Sequence, residues 1–341
     1  MKMFRSILAL GLVLGSLFAT APAQAVTFAN ENGKIAFTKV HNGQNGIWLM
    51  DSDGQNKQLL IQSTASNLVW SPDGSKLAFI NNEGRLSVVD HYGRNVRQLT
   101  HTRQFIDDTP AWSPDGRQIA FVRQEKFGQK RSAIFSVKLN GVNQAVNISG
   151  WAQGQSYRSP SWAPDAQRIV YEHLGQNAHE LLIKNTKNGI VRVLTTVSDE
   201  VNARPQWSPN GKKILFNDSP TEMYTIWTDS THRSAISDGE SYQASWSPDG
   251  NKIVFLEDPQ DNTISISESD GSITYIPVEK DPYNTLATPI WSPDGAALLF
   301  AVRDNSNNVS DIFLLNLNEP DNFTKLSDTS GEYVWQAKPV N

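Results

Sequence analysis

Short apolar runs rich in β-branched and aromatic residues recur along the chain, each bounded by turn residues. One set reads "KLAF", "QIAF", "RIVY", "KILF", "KIVF" and "ALLF", and a later set includes "RLSVVD" (85–90) and "DIFLLN" (311–316). Runs this short and this rich in such residues suit strands rather than helices. Pairs such as Asp53-Gly54 and Asn140-Gly141 follow the later runs and favour tight hairpins. The pattern predicts an all-β protein of short antiparallel strands.

One motif precedes each run of the first set. "WSPDG" stands at 70–74, 112–116, 246–250 and 291–295, and it is altered to "WAPDA" at 162–166 and "WSPNG" at 207–211. An aromatic residue follows each tryptophan at a distance of nine residues. The motif therefore reads as strand, tight turn, strand: Pro presets φ, Asp or Asn bonds nearby N–H groups, and Gly accepts positive φ. Where Ala166 replaces Gly, the turn is either strained or of another type.

The motif tryptophans are 39 to 50 residues apart, and each unit holds four strand signals. Four antiparallel strands in such a unit are the signature of a β-propeller blade. A seventh second-strand signal occurs at Lys34–Phe37 without a motif before it, so its inner strand must come from elsewhere. We expect Tyr333–Gln336 to supply it, since Trp335 lies 44 residues after Trp291. The rival candidate is Phe28, nine residues before Phe37. Either choice predicts a seven-bladed propeller.

Residues 1–25 form a separate segment. Lys2 and Arg5 precede the apolar run "SILALGLVLGSLFAT", and small residues end the segment at Ala23 and Ala25. This is the pattern of a secretory signal peptide cleaved after Ala25, and the run is shorter than a spanning helix requires. We expect residues 26–341 to form a single propeller domain, located in the periplasm or secreted.

Composition narrows the possible functions. The formal net charge is −5, which disfavours nucleic acid as a partner. The chain has no cysteine, so disulfides, thiolate catalysis and cysteine metal sites are excluded. No motif calls for a cofactor.

The complete repeat, "PxWSPDGxxIAF" followed by "IxxMDxDG" and "LT", resembles the TolB-like propeller repeat (PD40, related to WD40) over residues 33–336. The resemblance implies an exported propeller. TolB itself binds partner proteins at the cell envelope, and the same repeat acts as a gating or docking domain in some peptidases. TolB also has an α/β domain ahead of a propeller with fewer blades. We therefore expect a stand-alone relative to which the TolB–Pal partnership does not transfer directly.

Two groups of polar residues invite a chemical interpretation. Asp residues repeat in phase within the motif turns, and this regularity indicates turn structure rather than catalysis. The segment "EHLGQNAHE" (172–180) pairs His173 and His179 with flanking glutamates, which could face each other on a hairpin and hold a metal. We interpret it as a solvated loop and predict no metal site.

The segments just before the tryptophans differ from blade to blade, although the motif beside them is constant. They lead into the inner strands that line a propeller channel, so their polar side chains should converge at its mouth. The candidate ligand-binding residues are Asp107, Asp108, Tyr157, Arg158, Asn202, Arg204, Tyr242, Gln243, Tyr283, Asn284, Glu332 and Tyr333.

The function that we expect is binding of a protein or peptide of the cell envelope by a monomeric propeller. Arg158 and Arg204 would pair with a carboxylate of that ligand, and the tyrosines would pack against it. One alternative is a lyase or hydrolase acting on a sugar or peptide in the channel, although Asp107 and Asp108, its only plausible acids, should point to opposite faces of a strand. Another is a structural envelope component. The hairpin around Lys126–Arg131 is the alternative binding surface.

Overall fold

The computed structural model describes residues 32–128, 131–140, 144–152, 154–176, 178–198, 201–237, 241–257, 263–268, 271–278, 284–304, 310–320, 322–329 and 331–337. The predicted signal peptide and Phe28 lie outside the described residues. No described segment forms a helix with the length and apolar character that a membrane span requires.

Within the described residues, twenty-eight strands form seven four-stranded antiparallel sheets, which are the blades. Blade 1 contains β1 (Lys34–His41), β2 (Gln44–Asp51) and β3 (Gln58–Ile61), and it is completed by β28 (Tyr333–Trp335). Blade 2 contains β4 (Ala65–Trp70), β5 (Lys76–Asn81), β6 (Leu86–Asp90) and β7 (Arg97–Gln98). Blade 3 contains β8 (Phe105–Trp112), β9 (Gln118–Glu125), β10 (Ser132–Lys138) and β11 (Val146–Asn147). Blade 4 contains β12 (Ser156–Trp162), β13 (Arg168–Leu174), β14 (His179–Asn185) and β15 (Val191–Val197).

The other three blades follow the same plan. Blade 5 contains β16 (Gln206–Trp207), β17 (Lys213–Ser219), β18 (Glu222–Trp227) and β19 (Arg233–Ala235). Blade 6 contains β20 (Tyr242–Trp246), β21 (Lys252–Leu256), β22 (Thr263–Glu268) and β23 (Ile273–Pro277). Blade 7 contains β24 (Asn284–Trp291), β25 (Ala297–Asp304), β26 (Ser310–Asn316) and β27 (Phe323–Thr329).

The C-terminal strand closes the ring. Trp335 pairs with Ile35 and Tyr333 pairs with Phe37, so β28 is the inner strand of blade 1. The indole of Trp335 is buried and donates to the carbonyl of Asn32 at 2.7 Å. The expectation that this segment, rather than the N-terminus, completes the first blade is confirmed. With β28 in place, β1 is paired on both sides and is not an edge strand.

Motif tryptophans join neighbouring blades. The indole N–H of Trp112 donates to the carbonyl of Val69 at 3.1 Å, and that of Trp291 donates to Ser245 at 3.2 Å; in both cases the acceptor directly precedes the motif tryptophan of the preceding blade. The aromatic residue of each second strand, such as Phe121, is fully or almost fully buried. The repeat therefore persists because every blade interface needs the same large apolar contact. The indole hydrogen bond is not common to all blades, since the buried N–H groups of Trp70, Trp162 and Trp207 have no described partner.

The motif turns have the chemistry that the sequence predicts. In blade 3 the Ser113 hydroxyl and the Arg117 N–H both donate to the Asp115 carboxylate, and Gly116 has a φ of +66°. Partial burial would raise the pKa of Asp115, but these hydrogen bonds and the charge of Arg117 outweigh it and lower the pKa. Ala166 keeps the same turn with a φ of +54°, so of the two alternatives this turn is the strained one.

Candidate functional site

The inner strands are irregular three residues before the motif tryptophan. Five non-glycine residues at this position have φ between +42° and +54°: Asn67, Thr109, Ser159, Arg204 and Gln243. In blades 2, 3, 4 and 6 a register shift in the pairing with the second strand accompanies it. Such β-bulges leave backbone groups unpaired in the ladder and re-aim side chains. We call this ring of bulges, with the residues directly around it, the mouth.

Carboxylates of the protein bind N–H groups at three of these bulges. Glu332 of blade 1 accepts from the N–H groups of Asn67 and Leu68 in blade 2, at 2.7 and 2.8 Å. The N–H of Arg204 in blade 5 donates to Glu172 of blade 4 at 2.7 Å, and that of Thr109 donates to the neighbouring Asp108. Bulge N–H groups at the mouth can therefore receive carboxylates.

Glu172 lies at the centre of a buried network. Its side chain is inaccessible to solvent, and it forms an ion pair with Arg158 at 3.1 Å and contacts His179 Nε2 at 3.3 Å. Burial would raise the pKa of Glu172, but bonds from His179 and the Arg204 N–H, with the charge of Arg158, outweigh it and lower the pKa. Glu172 thus connects the second and third strands of blade 4 to the inner strand of blade 4 and to the segment that leads into the inner strand of blade 5.

His179 contacts hydrogen-bond acceptors on both sides. Its Nδ1 lies 2.8 Å from the carbonyl oxygen of Ser198, and its Nε2 faces the Glu172 carboxylate. Since both partners are acceptors, the ring forms both bonds only when both nitrogens carry protons. Next to it, His173 contacts Glu180 at 3.2 Å, and its Nε2 is buried without a described partner.

The interpretation of residues 172–180 as a solvated loop was therefore wrong for its two ends. Glu172 and His179 are 0% and 3% exposed, because β13 and β14 continue up to and after a short connection and carry these side chains into the blade. One signal was present in the sequence: Glu172 directly follows the buried aromatic of its second strand, where the other blades carry a neutral residue. The described residues contain no group of three ligands that could hold a metal.

Asp107 does not point into the mouth. It is 3% exposed and forms a two-point ion pair with Arg123, at 2.8 and 3.1 Å. The Arg123 guanidinium is itself enclosed by the rings of Phe105, Phe121 and Phe135. The expectation of a ligand contact does not hold for Asp107, because strand alternation directs it into the blade while Asp108 faces outward.

Tyr157 is also buried rather than exposed to a ligand. Its ring stacks on His173 with centroids 4.9 Å apart, and its hydroxyl donates to Gln155 at 2.7 Å. Burial raises the pKa of Tyr157. Tyr333 is partly buried, and burial raises its pKa as well. Both tyrosines belong to the packing around the mouth.

Other predicted residues do come together at the mouth. Asp108, Asn202, Arg204 and Gln243 are exposed, and Arg158 and Glu332 are half-buried. Contacts cross the blade boundaries here: Asn67 Nδ2 donates to Asp108 at 2.8 Å, and Ser159 donates to Asn202 at 3.2 Å. A cavity of about 320 Å³ adjoins Glu332.

Three candidates cannot be placed in this way. Tyr283 lies outside the described residues, and the side chains of Tyr242 and Asn284 are not among those described. In the alternative surface around Lys126–Arg131, Arg131 forms an ion pair with Glu125 within the same hairpin.

A closed seven-bladed propeller with a polar, blade-specific mouth defines the class of protein. Residues 81–276, more than half of the chain, match the family model described as the TolB beta propeller domain (PD40). The chain belongs to this family. No curated protein matches it significantly in sequence.

Solved structures with quite different activities resemble this fold. An oligogalacturonate lyase in complex with manganese superposes with a TM-score of 0.69 at 14% identity, covering 85% of this chain and 87% of that one. TolB from Acinetobacter baumannii superposes with a TM-score of 0.54 at 17% identity, covering 89% of this chain and 82% of that one. A prolyl endopeptidase superposes with a TM-score of 0.66 at 11% identity, covering 91% of this chain and 50% of that one. At these identities the likeness shows the fold alone.

Proposed function

We propose that this protein is an exported binding module that holds a protein or peptide segment of the cell envelope at the mouth of its channel. The observation that supports this most strongly is the contrast between the two ends of the propeller. At one end the motif turns repeat in six of the seven blades, whereas at the other the exposed side chains differ from blade to blade. Turn and core positions are explained by the fold, so the variable, exposed positions are the ones free for recognition.

The chemistry of the mouth suits a peptide carrying a carboxylate. No described residue pairs with the exposed guanidinium of Arg204, and Asn202 beside it offers amide donors. The bulge N–H groups of Asn67 and Arg204 are already occupied by the carboxylates of Glu332 and Glu172, so a ligand carboxylate would need other donors. Arg158 contributes less than a free arginine would, because Glu172 balances its charge. A ligand carboxylate would therefore be met chiefly by Arg204.

The enzyme alternative has one observation in its favour, the close pair of Glu172 and His179 near the mouth. Both side chains are sealed from solvent, and Glu172 is held in its ionised form by three neighbours. A general acid must reach its substrate, so this pair suits a structural role better. Asp107 is equally sealed by Arg123.

The test is a pull-down from envelope extract with the purified chain as bait, followed by calorimetric titration of the partner that it retains. We expect the double variant Asn202→Ala, Arg204→Ala to bind that partner at least tenfold more weakly. The matched control is Arg117→Ala, an arginine on the opposite end whose side chain is highly exposed. Equal affinity of the double variant and the wild type would move the binding surface away from the mouth.

A further inference from the structure

A second concave surface lies at the opposite end of the propeller from the mouth. It is a groove of about 540 Å³ between blades 5 and 6, next to their motif turns. Its walls include Asn210, Trp227, Ser234, Ser267 and Glu268. This volume is within the range of small-ligand sites. Nothing in the mouth accounts for it.

Trp227 breaks the repeat at this groove. It occupies the last position of the third strand, where Asp90, Asn185 and Asn316 use their side chains to cap the hairpin turn that follows. In blade 5 the turn is capped by Asp229 instead, so the indole has no part in it. Trp227 is 40% exposed, and the ammonium of Lys213 lies 5.4 Å from its ring centre. The indole takes no part in the turn and is exposed beside this lysine, so it is a candidate for ligand contact.

Asn210 is a second departure from the repeat in the same blade and on the same groove. It replaces the aspartate of the motif, and its Oδ1 takes over both turn bonds, from Ser208 at 2.9 Å and from the Lys212 N–H at 3.0 Å. No described residue accepts from its Nδ2. The substitution therefore leaves the turn intact and adds one amide donor to the groove wall.

We propose that this groove binds a saccharide, with a pyranose ring stacked on Trp227. The C–H face of a pyranose carries partial positive charge and is attracted to the negative face of an indole. Its hydroxyls need closely spaced donors and acceptors, which Asn210 Nδ2 and the hydroxyls of Ser234 and Ser267 provide; none of these three groups has a described partner. Glu268, paired with Lys252 at 2.8 Å, adds a fixed acceptor.

A peptide suits the groove less well. The outer strand beside it, Arg233–Ala235, has only three residues, which is short for a peptide to extend the sheet. Arg233 is also held by Asp218 and by the ring of Tyr224, so it is not a free charge for an acidic partner. An exposed indole among amide, hydroxyl and lysine groups fits a sugar ring better than an extended apolar ligand.

The test uses an array of immobilised oligosaccharides built from neutral hexoses, N-acetylhexosamines and uronic acids, probed with the purified chain. A retained saccharide is then titrated by calorimetry against variants. Trp227→Asn and Asn210→Asp restore residues that other blades carry, so both should fold normally, as thermal unfolding will verify. We expect at least a tenfold loss of affinity for Trp227→Asn and a threefold to tenfold loss for Asn210→Asp.

The matched control is Tyr92→Asn, which removes an exposed aromatic from a hairpin turn of blade 2, far from the groove. Its affinity should equal that of the wild type. The proposal is overturned if no saccharide on the array is retained, or if Trp227→Asn binds a retained saccharide as tightly as the wild type.

Discussion

Blades 3 and 4 each bury a carboxylate close to the mouth, but they do so in different ways. In blade 3, Asp107 and Arg123 form a closed pair within one blade, both almost inaccessible and surrounded by aromatic rings. In blade 4, Glu172 is inaccessible, but the side chain of its partner Arg158 is 36% exposed. The other carboxylate oxygen of Glu172 accepts a hydrogen bond from a backbone N–H of blade 5. The closed pair of Asp107 and Arg123 contacts only its own blade in this comparison, whereas the open pair of Glu172 and Arg158 links the packed interior of blade 4 to the exposed surface of the mouth.

The difference implies that a change in the closed pair affects folding only. Arg123→Met should lower the free energy of unfolding by about 3–5 kcal/mol, because it leaves a buried carboxylate without its counter-charge. Denaturant unfolding followed by tryptophan fluorescence measures this. The control is Asp107→Leu combined with Arg123→Met, which should recover most of the loss. A double variant as unstable as the single one would contradict the assignment.

A change in the open pair should affect both folding and the mouth. Glu172→Gln should cost about 1–3 kcal/mol, because His179 and Arg158 lose their charged acceptor. It should also weaken binding of the mouth partner, since the Arg204 bulge loses its carboxylate. Glu180→Gln is the matched control. The Glu180 side chain lies on the same hairpin and is 23% exposed, and its loss should cost less than about 1 kcal/mol. Equal losses for the two variants would remove the special role of Glu172.

The same carboxylate predicts a dependence of stability on pH. The pKa of Glu172 is below its ordinary value of 4.5 in the folded protein. Between the folded and the unfolded pKa, the unfolded chain therefore binds more protons than the folded protein. The stabilisation is present above pH 4.5 and is lost as the pH falls through the folded pKa. Urea unfolding between pH 3 and 6 should show a shallower acid loss for Glu172→Gln than for the wild type. The turn aspartates also have lowered pKa values, as Asp115 does, but they contribute equally to the acid loss of the variant and of the wild type. Parallel curves would contradict the prediction.

At Arg204, on the exposed side of the Glu172 network, a substitution should change partner binding without changing stability. Arg204→Ala removes a side chain without a described partner, so the melting temperature should stay within a few degrees. Partner affinity should fall about tenfold, or about 1.4 kcal/mol. Arg204→Lys should recover only part of that affinity, because an ammonium lacks the two-point geometry of a guanidinium. A large drop in melting temperature would instead place Arg204 in the fold.

The smallest effect should come from a carboxylate that only serves a turn. Asp115→Asn should change the free energy of unfolding by about 0.5 kcal/mol or less. The chain itself carries this change at Asn210, whose Oδ1 makes the same two turn bonds. Chemical denaturation and binding assays should both resemble the wild type. A marked loss of binding would mean that the repeated aspartates have a function beyond the turn.

The candidate site was predictable from the sequence only in part. Exposed positions such as Asp108 and Arg204 could be named, because they break a repeat that is otherwise explained by packing. Asp107 and Tyr157 were placed wrongly, since one residue along a strand separates a buried side chain from an exposed one. A bulge shifts that alternation, and neither Thr109 nor Arg204 has a residue type that signals positive φ.

The sequence by itself determined the blades, their number and the closure of the ring. These depend on local turn chemistry and on a tryptophan spacing that every blade repeats, and Trp335 continues that spacing to the end of the chain. Only the tertiary structure decided what the polar residues do. The environment of Glu172 comes from Arg158 and His179 on two strands of blade 4, and from the backbone of residue 204 in the segment before β16 of blade 5. Burial and charge at such a point are properties of the assembled neighbours, and no local pattern encodes them.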